Sequence, residues 1–172
     1  MAVRSLFKVY FKSEQDALTD VLREAHLFRD IDERSLRMFR KMMHVRSYAP
    51  DEIVFREGQP GNGMYVVIDG EVRIVLNHGK QHETELARLG RGEFFGEFNL
   101  LGELPRSASA LTTTSATLGG FFRPDLLELI ERNPRLGVRV VLNLGEVLAQ
   151  RLRRSNQELR DARQRLRQLE EG

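Results

Sequence analysis

The chain has no cysteine. Disulfides, thiolate metal sites, iron–sulfur clusters and a cysteine nucleophile are therefore excluded. No stretch approaches the ~20 apolar residues needed to span a bilayer. The opening Met1-Ala2-Val3-Arg4-Ser5-Leu6-Phe7 carries no long apolar run ahead of a small-residue cleavage site. No secretory signal and no membrane partner are expected, and the cytoplasm is the natural location. An excess of either charge is also lacking, since the formal net charge is only +2. The whole-molecule field thus gives little help to nucleic-acid binding. Charge is uneven, however: from Gly137 onward eight arginines stand against five acids. That is read as the solvated face of a long helix rather than a DNA-binding stripe.

Catalytic and metal-binding arrangements are missing too. No Ser/His/Asp set or acid pair suggests chemistry, so no enzyme activity and no catalytic residue are expected. His78 and His82 lie four apart with Gly79 between them. They fall in an expected hairpin loop, where no helical face aligns them, and no metal site is expected. Gly61-Asn62-Gly63 and Gly90-Arg91-Gly92 are turn glycines. Neither continues into a phosphate loop or a dinucleotide fingerprint.

What is present is enough apolar residue, 41% of 172, to build one core, with 30% charged residues for its surface. Three regions are expected: N-terminal helices over 1–43, a β-roll over 44–122, and C-terminal helices over 123–172. Ser13 and Asp32 are expected helix caps. Glu52–Phe55, Met64–Ile68 and Val72–Leu76 are rich in β-branched and aromatic residues and predict strands. Asp69-Gly70 between two of them predicts a hairpin. Pro124 predicts one helix start; Asn133-Pro134 predicts another, opening a helix to about Leu169. Its inner residues Leu136, Val140, Leu144, Val147 and Leu148 are expected to pack on the roll. Farther on, Gly145, Leu152, Leu159 and Leu166 share one heptad position, and Leu148, Ser155, Ala162 and Leu169 the other. Glu158 would face Arg163 of a partner helix, and Arg165 would face Glu170. A parallel homodimer is the expected assembly.

Residues 95–110 are the most informative segment: Phe-Gly-Glu-Phe-Asn-Leu-Leu-Gly-Glu-Leu-Pro-Arg-Ser-Ala-Ser-Ala. Gly96 lets the backbone approach a ligand closely. A short helix from Glu97 would aim free N–H groups at an anion. Arg106 is a fixed cation whose planar fork fits phosphate oxygens. Glu97 is an acceptor for a sugar hydroxyl. A ligand-free alternative explains the same letters by a turn, an ion pair between Glu97 and Arg106, and a β-turn at Pro105.

This segment resembles the phosphate-binding cassette of the cyclic nucleotide-binding domain family, which includes the bacterial catabolite activator protein and the regulatory subunits of cyclic-nucleotide-dependent kinases. The cassette has the form Phe-Gly-Glu, two or three apolar residues, a variable turn, then Pro-Arg-Ser/Thr/Ala-Ala. The resemblance implies a mainly β fold, a jelly-roll β-barrel with N-terminal helices and a long C-terminal helix. It implies that Glu97 contacts the ribose 2′-hydroxyl, that Arg106 pairs with the cyclic phosphate, and that Ser107 adds a hydrogen bond. Gly96, Phe98 and Ala108 would offer backbone groups. Asn99 departs from the usual Ala or Ser and is a further candidate. On the long helix, a hydroxyl residue in bacterial members reaches the purine, which points to Ser155 first and Asn156 second.

Cyclic AMP is expected ahead of cyclic GMP. Ser107 suits either, but the strand position aligned with the arginine of cyclic GMP binders is Ala87, beside Arg88. The implied protein is a non-enzymatic sensor with no cofactor, whose nucleotide repositions the C-terminal helix toward an unknown downstream protein. The family's transcription factors carry a helix-turn-helix after this helix. The chain ends at Gly172, so no direct DNA binding is expected. Met1 followed by a cap sequence favours a free-standing protein. The alternatives are a regulatory fragment of a larger enzyme, channel or transcription factor, or a non-binding scaffold.

Overall fold

Residues 14–170 are described by the computed structural model; the expected cap at Ser13 lies outside them. Helix α1 (Glu14–Glu24) leads through a 3-10 turn (His26–Phe28) to α2 (Glu33–Lys41). Asp32 caps α2 as expected, its carboxylate accepting from the Arg34 and Ser35 amides at 3.0 Å each. The chain then turns to strands: β1 (His44–Tyr48), β2 (Ile53–Phe55), β3 (Gly63–Asp69), β4 (Val72–Leu76), β5 (Thr84–Leu89) and β6 (Phe94–Phe95). A single-turn helix α3 (Phe98–Leu101) separates these from β7 (Ser109–Thr112) and β8 (Ala116–Phe122). Helices α4 (Arg123–Arg132) and α5 (Pro134–Glu170) follow.

The strands form two four-stranded antiparallel sheets, ordered β1-β8-β3-β6 and β2-β7-β4-β5. This is the expected jelly roll with flanking helices. One expectation fails. Asp69-Gly70 is not a hairpin, because β3 pairs with β8 and β6 while β4 pairs with β7 and β5. The turn instead carries the chain from one sheet to the other. Its local chemistry is that of a tight turn; long-range pairing decides where the next strand goes. The β4–β5 connection is a hairpin, and its loop carries His78 and His82 as expected.

Alternation along β3 divides the molecule into two cores. Val67, with partly buried Tyr65, faces the roll interior beside Val72, Phe95, Ala110 and Leu118. Met64, Val66 and Ile68 face the opposite way, onto the helices, where they meet Leu18, Leu22, Phe39, Leu129 and Leu144. Phe39 sits at the centre of this second core, its ring 4.5 Å from Phe28 and 4.4 Å from Phe121.

Pro124 sits one place later than a first helical residue, since Arg123 opens α4. Asn133 does cap α5, its side-chain oxygen accepting from the Leu136 amide at 3.2 Å. Leu136, Val140, Leu144 and Val147 are buried and Leu148 partly buried, as expected. They rest on the α1–α2 helices as well as on the roll. Asn143, buried in the same face, donates to the carbonyls of Leu27 and Arg29 at 2.9 and 3.0 Å, stapling the 3-10 turn to α5. The inner half of α5 is thereby fixed at a defined height beside the cavity described next. None of the described helices is long and apolar enough to cross a membrane.

Candidate functional site

Between the second sheet, α3 and α5 lies a cavity of about 390 Å³. Its apolar wall comes from Phe55, Ile74, Leu86, Ala87 and Leu89, and its polar side from the segment 95–108. Gly96, Glu97, Phe98, Asn99, Arg106, Ser107 and Ala108 all line it. Ser155 and Asn156 do not; both are exposed on α5. The α5 residues that reach the cavity are Arg151 and Arg154. A larger cleft, about 760 Å³, opens on the other flank of the cassette among Pro60, Pro105, Pro124 and Leu127. No charged group is buried in it, which makes the smaller cavity the site of interest.

Arg106 dominates the cavity. It is only 5% exposed, yet among the described residues no carboxylate stands within ion-pair distance. Its Nη1 donates to three neutral oxygens: the Gly63 carbonyl at 2.7 Å, the Asn99 side chain at 3.1 Å and the Gly96 carbonyl at 3.2 Å. Its Nε is buried without a partner. The guanidinium lies 4.0 Å over the Phe55 ring, an attraction that offsets part of its lost hydration. Burial lowers the Arg106 pKa from the ordinary arginine value, opposed by Tyr65 and Glu97. It remains a cation. A buried cation with no ion-pair partner among the described residues is a place where an anion is stabilised.

Gly96 makes this arrangement possible. Its φ is +76°, and a Cβ there would stand 2.5 Å from Arg106 Nη1. The short helix contributes less than expected, because the Asn99 amide is already bonded to the Gly96 carbonyl at 3.2 Å.

Glu97 is not paired with Arg106. It is 3% exposed, and its Oε1 accepts from Arg151 Nη1 at 2.7 Å. Arg151 also donates to the Phe94 carbonyl at 2.8 Å and lies 4.6 Å over the Phe94 ring. The ligand-free explanation of the segment, an ion pair between Glu97 and Arg106, is thus not what forms. Ser107 is exposed to the cavity; Phe98, 54% exposed, stands at its rim. Ala87 faces in from β5, whereas Arg88 is turned away to Glu85 and Glu71.

Gly63, Phe55 and Arg151 are site residues that sequence reasoning did not single out. For Arg151 a signal exists. The buried stripe Val140, Leu144 and Val147 continues at helical spacing to 151 and 154. An arginine where the apolar stripe stops calls for a polar partner on the roll.

The sequence profile of the cyclic nucleotide-binding domain matches residues 45–133. The chain belongs to this family. A cyclic AMP receptor protein from Thermus thermophilus is 42% identical over 114 residues, covering 66% of this chain and 51% of its own length. A cAMP-dependent protein kinase regulatory subunit from Colletotrichum orbiculare is 32% identical over 103 residues, 58% of this chain and 26% of its own. Among solved structures, the catabolite activator protein of Thermus thermophilus superposes with a TM-score of 0.71 at 37% identity, over 78% of this chain and 62% of that one. A cyclic nucleotide-binding domain from Methylobacillus flagellatus gives 0.74 at 24% identity, over 84% and 81% of the two chains, a likeness of fold. The chain spans only about half to three fifths of the bacterial receptor relatives it matches.

Proposed function

We propose that this domain binds a cyclic nucleotide, cyclic AMP ahead of cyclic GMP, and signals by repositioning α5. The observation that carries the reading is Arg106, a buried cation without a carboxylate partner among the described residues, facing a nucleotide-sized cavity. A cyclic phosphate supplies the missing negative charge, and Ser107 beside it supplies a hydroxyl donor. Glu97 accepts from the ribose 2′-hydroxyl. Ala87 brings no donor to the base, and Arg88 is engaged elsewhere, which favours adenine over guanine. Neither step is chemical: the domain acts by binding, without a cofactor or metal.

The route to α5 is short. Arg151 joins the helix to Glu97 and to the carbonyl beside the cavity. A ribose at Glu97 alters the field that holds Arg151, so the nucleotide and the helix position are linked. In a homodimer paired through the outer half of α5, Ser155 and Asn156 would approach a base from the partner helix. One bacterial relative, from Mycobacterium tuberculosis, is a cAMP-activated global transcriptional regulator, and the fungal one is a kinase regulatory subunit. The downstream partner of this domain is accordingly a separate protein or a further segment.

Calorimetric titration with cyclic AMP and, in parallel, cyclic GMP tests the reading. Binding in the micromolar range or tighter is expected for cyclic AMP. Arg106→Ala should then weaken it at least about tenfold, the loss of a charge-assisted pair of about 1.5–3 kcal/mol. No heat with either nucleotide, or unchanged affinity in the variant, overturns the assignment.

A further inference from the structure

We propose that Asn99 is the positioning residue of the anion site, setting the orientation of the Arg106 guanidinium and tying down the loop that carries it. The inference rests on the nucleotide-binding reading above and deepens it. Asn99 is 3% exposed and makes two side-chain bonds of opposite polarity. Its Oδ1 accepts from Arg106 Nη1 at 3.1 Å. Its Nδ2 donates to the Leu104 carbonyl, two residues before Arg106. The opposite amide orientation would set its NH₂ group against a guanidinium and its oxygen against a carbonyl, so only one orientation satisfies both partners.

Three contacts make this a clamp. Carbonyls of Gly63 and Gly96 hold Nη1 from the strand and from the start of the cassette. Asn99 is the one side chain in the set, and it alone also reaches the 102–105 turn. Gly61 closes the other flank: a Cβ there would stand 2.5 Å from Asn99 Cγ and 2.6 Å from Arg106 Nε. The backbone at Gly61 therefore packs directly against both side chains, leaving little room for either to turn. With Nη1 held, among the described residues Nη2 is the guanidinium nitrogen with no bond of its own beside the buried Nε. The edge offered to a ligand is selected by what holds the opposite edge.

A neutral amide is the right chemistry for this task. It orients a cation without neutralising it, so the charge stays available to an incoming phosphate. A carboxylate of nearly the same shape would occupy the anion's role itself.

The test is titration with cyclic AMP of the wild-type chain, Asn99→Ala, Asn99→Asp, Arg106→Lys and Asn99→Ala/Arg106→Lys, with the melting temperature of each free protein recorded. Asn99→Ala should weaken binding about two- to tenfold, because the guanidinium keeps its charge and its two carbonyl partners and loses only its side-chain restraint. In the Arg106→Lys background, which keeps charge but loses the fork, the same change should cost less than about twofold, because positioning acts through the guanidinium. Asn99→Asp should weaken binding most, by more than about a hundredfold, as an internal carboxylate replaces the phosphate. Equal losses from Asn99→Ala in both backgrounds would show a merely structural residue and overturn the proposal, as would unchanged affinity. Asn99→Ser serves the same comparison if the alanine variant does not fold. Failure of the wild type to bind either cyclic nucleotide sinks the parent reading and this inference together; wild-type binding with indifferent variants sinks this inference alone.

Discussion

The two halves of α5 share one helix, one period and much the same leucine content, yet they live in different environments. From Leu136 to Val147 the apolar stripe is buried against α1, α2 and the roll. From Leu152 to Leu169 the four leucines are 48–80% exposed, and none of the described residues covers them. In this outer half Glu158 accepts from Arg154 at 3.0 Å on its own helix. At the boundary stands Arg151, which closes the inner half on Glu97. The comparison teaches that an amphipathic stripe specifies only that a surface wants covering. What covers it is decided by where the helix is anchored, here by Asn143 and by the buried Leu136, Val140 and Leu144 around it.

The largest expected effect lies in the inner half. Leu144 is fully buried, and Leu144→Ala should cost about 2–5 kcal/mol of stability through lost burial and a residual cavity. Thermal denaturation measures it; a small effect would mean that the inner half is no more tightly held than the outer. Next comes the boundary. Arg151→Ala leaves the buried Glu97 carboxylate without its cationic partner, a loss of about 1–3 kcal/mol. It should also uncouple helix position from ligand, visible as a weaker nucleotide-induced change in amide exchange along residues 148–156. An unaltered ligand response would separate Arg151 from signalling.

Removing residues 156–172 should have a different signature. Monomer stability should hold nearly constant, because the removed stripe buries none of the other described residues, while the proposed homodimer should dissociate in sedimentation analysis. A dimer that survives truncation would place pairing elsewhere. Smallest of all, Leu159→Ala should change the stability of the monomer by no more than about 0.5 kcal/mol. Set beside Leu144→Ala, it measures how much one leucine's worth depends on its surroundings.

Much was legible in the residues because the physics involved is local. Asp32 and Asn133 cap their helices through bonds spanning two or three residues. β-branched runs form strands, and Leu136 to Leu148 repeat at helical spacing. The cassette falls in one continuous stretch, so its glycine, acid and arginine carried their meaning in order; the Ser107 and Ala108 positions at the cavity agree with that order. The sequence by itself therefore determined the capped helices, the main β runs, a mainly β class that the family resemblance narrowed to a jelly roll, and the segment that lines the cavity. Tertiary structure alone decided the rest. It sent the Asp69-Gly70 turn between sheets, since β3 and β4 each find better partners elsewhere in the chain. It joined Arg151 to Glu97 across 54 residues and left Arg106 without an acid among the described residues. It turned Asn99 toward Arg106 and Leu104. Each of these outcomes depends on which groups meet after distant segments pack, and burial then makes the choice between partners costly to reverse.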